Sequence, residues 1–252
     1  AVASESFDIT DVEGRTIHFD RHPNTFVVAN YIANFMMVGG KSSLDKVIAL
    51  TKDGWEETRF GEYQVFTQSF PKMKELPSIG GYHDDILNAE KILSLHPDVL
   101  LISRTQYTEN NQRIKTFENA GIKVVVLDYH AMTTANHTRS TEILGRMLNR
   151  EDIAAAQNKT YKDSLEHVSK TIRNLPQDKK NQRVYMETAS KGVGRYGNSY
   201  NKDVLWGAIL KNIEAANLAE NSPQPYMALD REYVISQNPQ IIFIGGSIWR
   251  NK

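Results

Sequence analysis

Residues 78–103 read SIGGYHDDILNAEKILSLHPDVLLIS, and residues 228–246 read ALDREYVISQNPQIIFIGG. Aligning Pro97 with Pro239 sets LSLHPDVLLIS over ISQNPQIIFIG and brings Glu90 over Glu232. Each copy has a short stretch at helical spacing, a proline that cannot continue a helix, and an apolar β-rich run. Proline and glycine therefore punctuate one helix–strand unit that occurs twice, about 140 residues apart.

Around the first copy the same alternation continues. Thr25–Ala29 and Val47–Leu50 read as short buried strands, and Ile32–Val38 as a helix closed by Gly39-Gly40. Residues 52–76 are polar and aromatic without clear periodicity, so an excursion loop is expected there. A helix over roughly 85–95 follows, with the Asp84-Asp85 pair read as its N-cap and dipole partner. Strand Val99–Ile102, a surface helix over Glu109–Ala120 ended by Gly121, and strand Val124–Leu127 complete the first half. Continuous apolar strands alternating with helices argue for a parallel sheet covered on both faces.

From about Thr133 to Asn174 no strand candidate occurs. Ile143, Leu144, Met147, Ile153, Leu165, Val168 and Ile172 fall at helical spacings, which fits one long helix or two consecutive ones. Alternation resumes at Arg183–Met186 and runs through Leu205–Leu210, a proline-marked loop at 222–225, a helix near 230–237 and strand Ile241–Ile244. The fold expected is α/β, two Rossmann-like lobes joined by a helical connector with a ligand cleft between them. The boundaries drawn are 1–130 for the first lobe, 131–178 for the connector and 179–252 for the second lobe.

Composition narrows the function. Thirty Lys+Arg balance 30 Asp+Glu, without the basic excess that phosphate neutralisation needs, so nucleic acid is not an expected partner. No apolar run reaches the 18 or more residues of a membrane span. The chain has no cysteine, which excludes disulfides, thiolate catalysis and thiolate-held metal. The N-terminal AVASES carries the small residues found around a signal cleavage site, so we expect an exported, periplasmic protein with its signal peptide removed; a trimmed start reads the same way.

NAEKILSLHPDVLLIS and LDREYVISQNPQIIFIGG resemble the helix–proline–strand signatures of the class III periplasmic solute-binding proteins of ABC importers, a group that carries iron–siderophore complexes, haem and cobalamin. The resemblance extends to an opening with Asp11, Gly14, Arg15 and Phe19, to GGY before the first proline unit, to GIKVVVLD, and to RVYMETASKGVGRYGNSYNKDVLWGAI. It implies the bilobal fold with an inter-lobe cleft and limited hinge motion. The family continues beyond the IIFIGG strand, whereas this sequence stops at Trp249-Arg250-Asn251-Lys252, so the second lobe is expected to lack C-terminal residues.

In open parallel sheets ligands sit outside the carboxyl ends of strands. That rule selects Tyr31, Tyr82, His83, Arg104 and His130 in the first half, and Arg195, Tyr196, Asn198, Trp249 and Arg250 in the second. Guanidinium groups fork onto anionic oxygens, and aromatic faces cover a planar or apolar chelate body. Arg104 also reads as an ordinary salt-bridged residue, Tyr31 as a core aromatic, and the GVGRYG glycines as a turn. His22, His96, His137 and His167 read as surface or helix-face residues, and direct metal ligation by His83 or His130 is not assumed.

No cofactor of the protein's own is expected, since any metal arrives within the ligand. The expected role is a monomeric, non-enzymatic carrier that delivers a metal chelate, first of all an iron–siderophore, to the transmembrane dimer of an ABC permease. Molybdate or another oxyanion, a nickel chelate, haem and cobalamin are alternative cargoes. The resemblance implies that Glu90 and Glu232 dock onto permease arginines. A bilobal chelatase-like enzyme is the alternative of another class and would need a His–Glu or His–His cluster. GVGRYG has the form GxGxxG after a strand, but the βαβ context and the downstream ribose-binding acid of a dinucleotide site are not evident.

Overall fold

Apolar runs that cannot face water on either side must be covered twice, and the strands of the first half meet that condition. The computed structural model describes residues 5–82, 84–189, 191 and 194–245. It divides into two units: Ala1–Asp128 with Thr138–Asn158, and Tyr129–His137 with Lys159–Lys252. Each unit has its own parallel sheet.

The first unit opens with β1 (Phe7–Thr10) and β2 (Thr16–Phe19), an antiparallel hairpin that the sequence reading did not identify. Its turn is fixed by the buried Asp11, whose carboxylate accepts from the Glu13, Arg15 and Val126 amides. Then come β3 (Phe26–Val28), α1 (Ile32–Gly39), β4 (Val47–Leu50), α2 (Trp55–Thr58), α3 (Phe60–Ser69), α4 (Ala89–Leu95), β5 (Val99–Ser103), α5 (Arg104–Glu109), α6 (Asn111–Asn119) and β6 (Lys123–Leu127). The four parallel strands run in the order β4-β3-β5-β6. Every residue of β3 and β5 is buried, as are the four apolar residues of β6. Burying a Val, Leu or Ile side chain contributes about 1.5–3 kcal/mol, so these strands anchor the unit.

Three expectations change. Residues 52–76 are not a loop: α2, α3 and a 3-10 turn at Pro71–Lys74 occupy them. Their few inward residues, Trp55, Phe66, Thr67 and Met73, are too sparse to give a helical period. Asp84-Asp85 does not cap α4. Asn88 does, accepting from the Lys91 amide, while Asp84 accepts from the Gly81 amide. The surface helix begins earlier and is broken at Asn110, whose buried amide group donates to the Asp85 and Gln106 carbonyls and accepts from the Leu87 amide. That side chain ties the segment before α4 to the break between α5 and α6.

The strand-free stretch forms two consecutive helices, α7 (Thr134–Met147) and α8 (Glu151–Arg173), and each has residues in both units. The second unit continues with β7 (Arg183–Glu187), β8 (Asn198–Tyr200), α9 (Leu205–Asn212), β9 (Ala216–Asn217), β10 (Tyr226–Ala228), α10 (Arg231–Ser236) and β11 (Ile241–Ile244). Its parallel sheet has the order β11-β7-β9, and β8 pairs antiparallel with β10 beside it. Here double coverage fails at the edge: Ile241, Ile242, Phe243 and Ile244 are 39–55 % exposed, because among the described residues no layer lies over β11.

Gly207, in the first turn of α9, has no room for a side chain. A Cβ there would lie 1.7 Å from the Asn201 carbonyl oxygen and 2.9 Å from that of Tyr200. Backbone cannot yield as a side chain can, so Gly207→Ala should lower stability by about 1–3 kcal/mol or more, the cost of overpacking. Urea denaturation of the two proteins measures it; an unchanged midpoint would show that α9 shifts freely against β8.

Candidate functional site

A crevice forms in an open parallel sheet where successive connections leave in opposite directions. In the first unit the chain passes from β3 to β4 on one side and then crosses to β5 on the other. Tyr31 and Arg104 therefore stand at that switch point, just beyond β3 and β5. Tyr31 heads α1 with a left-handed backbone (φ 66°), is only 9 % exposed, and takes the Phe35 amide on its carbonyl. A residue without the freedom of glycine holds that conformation only where its surroundings fix it. Arg104 is the first residue of α5, and its Nε donates to Glu13 Oε1 at 2.6 Å; that bond strengthens its hold on the proton. The salt-bridged reading of Arg104 is thus realised, with half of its side chain still exposed.

Between them lies Gln106, which the sequence reading missed. It is buried, donates to the Ala29 carbonyl at 2.9 Å, and completes a capping box with Ser103. The signal was legible as Ser-x-x-Gln directly after an apolar strand.

Tyr82 reaches the same edge through the Asp53–Gly81 bridge beyond β4. Its ring stacks on Trp55, with centroids 5.2 Å apart and planes within 5°, and its hydroxyl donates to Glu62 Oε2 at 2.7 Å. Trp55 Nε1 points to the same carboxylate at 3.4 Å. Burial, then the Glu62 bond, pushes the Tyr82 phenol well above its ordinary range, so it stays protonated. Such a phenol offers a ring and a hydroxyl. Trp55 and Glu62 lay in the stretch taken for loop, which is why neither was selected. His83 lies outside the described residues.

In the second unit His130 sits exposed in the turn after Tyr129. Nearby His137, read as a helix-face residue, is half-buried: it stacks on Tyr161 at 3.9 Å and meets the edge of Tyr129 at 5.0 Å. Burial lowers its pKa. The loop after β7 leads to Arg195 and Tyr196, both exposed. Asn198 is the first residue of β8 and its amide closes the loop by donating to the Arg195 carbonyl at 2.7 Å. The GxGxxG form therefore runs into an antiparallel strand, not a helix, and lacks the amide-lined N-terminus that holds a pyrophosphate. Trp249 and Arg250 lie outside the described residues. Among the described residues no group of three or more His, Asp or Glu could hold a metal.

Two α/β units, each with a switch point and each followed by aromatic and cationic residues, match one family over most of the chain. Residues 45–252 fit the family described as periplasmic binding protein. The chain belongs to the periplasmic binding protein family. An ABC transporter substrate-binding lipoprotein of Bacillus subtilis is 25 % identical over 175 residues, covering 69 % of this chain and 53 % of its own. A vitamin B12-binding protein of Pectobacterium carotovorum is 26 % identical over 179 residues, covering 70 % and 60 % respectively. The solved structure of a TroA-like periplasmic binding protein, FepB, from Veillonella parvula superposes with a TM-score of 0.83 at 26 % identity, over 97 % of this chain and 71 % of that one. The chain thus spans little more than half the length of the curated relatives it matches. The family is one of binding proteins, and the side chains brought to the strand ends are of types that recognise a ligand. No described helix is long and apolar enough to cross a membrane.

The His137 stack gives a pH dependence with a definite sign. Its folded pKa lies below the ordinary 6.5, so folding opposes protonation. The stability it contributes is full above pH 6.5 and is lost as pH falls through that value toward the folded one. Urea midpoints measured on a pH series should fall on acidification more steeply for the natural chain than for His137→Phe. Parallel curves would mean that the imidazole is not held by the two tyrosines.

Proposed function

We propose that the protein is the extracytoplasmic substrate-binding component of an ABC importer and that it captures an anionic metal chelate, first of all an iron–siderophore. The observation that carries this reading is the family match over residues 45–252. The chemistry at the strand ends supports it. Tyr31, Tyr82 and Arg104 in one unit and Arg195 and Tyr196 in the other supply aromatic faces and guanidinium donors, suited to a planar, anionic body. Tyr82 keeps its proton and can present its hydroxyl to a ligand oxygen, and in this reading any metal arrives within the ligand. In this reading the protein acts as a monomer, and His83, His130, Asn198, Trp249 and Arg250 also contribute to ligand binding.

Cobalamin is the second reading, favoured by the vitamin B12-binding relative at 26 % identity. The two are separated by titrating the protein with a ferric tris-catecholate, cyanocobalamin, haem and molybdate while following tryptophan fluorescence. Binding of the ferric chelate in the micromolar range or tighter supports the first reading. Saturation by cyanocobalamin alone replaces it, and binding of none of them removes it. For the ligand that binds, Arg195→Ala should cost about 1–3 kcal/mol, the scale of a lost charged hydrogen bond. Unchanged affinity would take Arg195 out of the site.

Docking to the permease rests on the repeated unit. Glu90 and Glu232 are each the second residue of a short helix, one capped by Asn88 and the other by Asp230, and both are exposed. A carrier with two lobes meeting a two-fold permease needs one matching contact per lobe. Exposed ion pairs contribute only about 0–1 kcal/mol each, so both must be removed together. Glu90→Ala with Glu232→Ala should leave folding and ligand affinity intact and reduce uptake; normal transport at normal expression would reject the contact.

A further inference from the structure

The second unit has its own switch point, between β7 and β11, and a buried carboxylate occupies it. Glu187 ends β7 and is 3 % exposed. No described cation pairs with it. Its partners are instead the two feet of the loop that follows. Oε1 accepts from the Ala189 amide at 3.0 Å, and Oε2 accepts from the Gly197 amide at 2.7 Å. The Tyr185 hydroxyl also donates to Oε2, and its oxygen takes a second share of the Gly197 amide at 3.0 Å. Below this clamp the Thr188 amide bonds to the Asn198 carbonyl at 2.9 Å, so both feet are joined again by backbone.

Two features show that the clamp constrains the chain. Ala189 has a left-handed backbone (φ 47°), which is unfavourable for a non-glycine residue and persists only when the surroundings impose it. Gly197 (φ 101°) lies so close to Leu229 that a Cβ would meet the Leu229 carbonyl oxygen at 2.2 Å, and its own carbonyl accepts from the Leu229 amide at 2.8 Å. Gly197 is thus fixed from both sides, by Glu187 and by the start of the β10–α10 connection. The residues immediately before it are Arg195 and Tyr196, whose side chains are exposed.

We propose that Glu187 is a positioning residue: its carboxylate, one oxygen on each foot of the loop, presents Arg195 and Tyr196 in a fixed place at the carboxyl end of the second sheet. A buried carboxylate without a cationic partner is costly unless backbone amides and a hydroxyl satisfy it, and here they do. The arrangement spends that burial on loop geometry, lowering the ordering cost when a ligand engages the two side chains. The clamp itself stands on the geometry of the free protein; only its consequence for affinity rests on the carrier reading above.

The test has two arms on the full chain. Without ligand, Glu187→Gln replaces one acceptor oxygen with an amide donor. Hydrogen exchange at Gly197 and tryptic cleavage after Arg195 should then quicken by about tenfold or more, the lower bound for losing a charge-assisted bond. The amides of β7 and β9 should exchange as before. Tyr185→Phe, a milder change, should quicken exchange at Gly197 by less, and it serves as the test variant if Glu187→Gln does not fold. Unchanged exchange and cleavage would overturn the clamp. With a ferric tris-catecholate as probe, Glu187→Gln should weaken binding about tenfold in the natural chain and hardly at all when Arg195→Ala and Tyr196→Ala are already present. An equal loss in both backgrounds would mean a general defect of the unit and would overturn the positioning role. If the natural chain does not bind the probe, the ligand assignment fails and the exchange arm alone decides the clamp.

Discussion

Double-sided burial of the parallel strands is the constraint on which the other features depend. In β3, β5 and β6 almost every side chain is inside and apolar, and the polar residues, Lys123 and Ser103, stand only at strand ends. Chemistry is displaced to the ends, where the chain leaves the sheet and can meet water. The switch-point rule is a corollary: diverging connections open a gap at those ends, and only there do polar side chains have both access and support.

The two units use that gap in different ways. In the first, the gap between β3 and β5 is bridged by Gln106, an uncharged side chain bonded to the Ala29 carbonyl and boxed with Ser103. Beside it, Glu62 holds Tyr82 against Trp55, so that the ring is locked by stacking and by its own hydroxyl. In the second, an anionic side chain, Glu187, fills the corresponding place and ties down a loop. Both devices satisfy a buried polar group completely, and a partly satisfied one would cost more than an apolar replacement. Each converts that satisfaction into fixed side-chain placement, which is what selective binding of a rigid ligand requires.

The helix–proline–strand repeat adds a second element to the same architecture. The short helices α4 and α10 carry an asparagine and an aspartate cap, respectively, and both leave their second residue, a glutamate, in water. Repetition in the sequence therefore has a physical counterpart: equivalent local structures with equivalent surface charge in separate units. The edge strand β11 differs from its counterpart β5, being open where β5 is covered, so the repeat fixes local structure without fixing its neighbours.

What the sequence by itself determined is the part written in short-range patterns. Apolar runs of β-branched residues located β3, β4, β5, β6, β7 and β11, and proline and glycine located their ends, because strand burial and backbone restriction act within a few residues. The paired glutamates and the residues after each strand followed from the same patterns. Only the tertiary structure decided which polar groups meet. The Asp11 turn depends on an amide of β6, the Tyr82–Glu62 bond spans twenty residues, and the Asn110 side chain accepts from the Leu87 amide 23 residues away. Helices α2 and α3 escaped notice because three buried residues, Trp55, Phe66 and Thr67, and not a periodic face, hold them. Glu187 stood in plain view after RVYM, yet its role depends on Ala189 and Gly197 returning to it. Such returns are set by chain closure and packing, which no local pattern encodes.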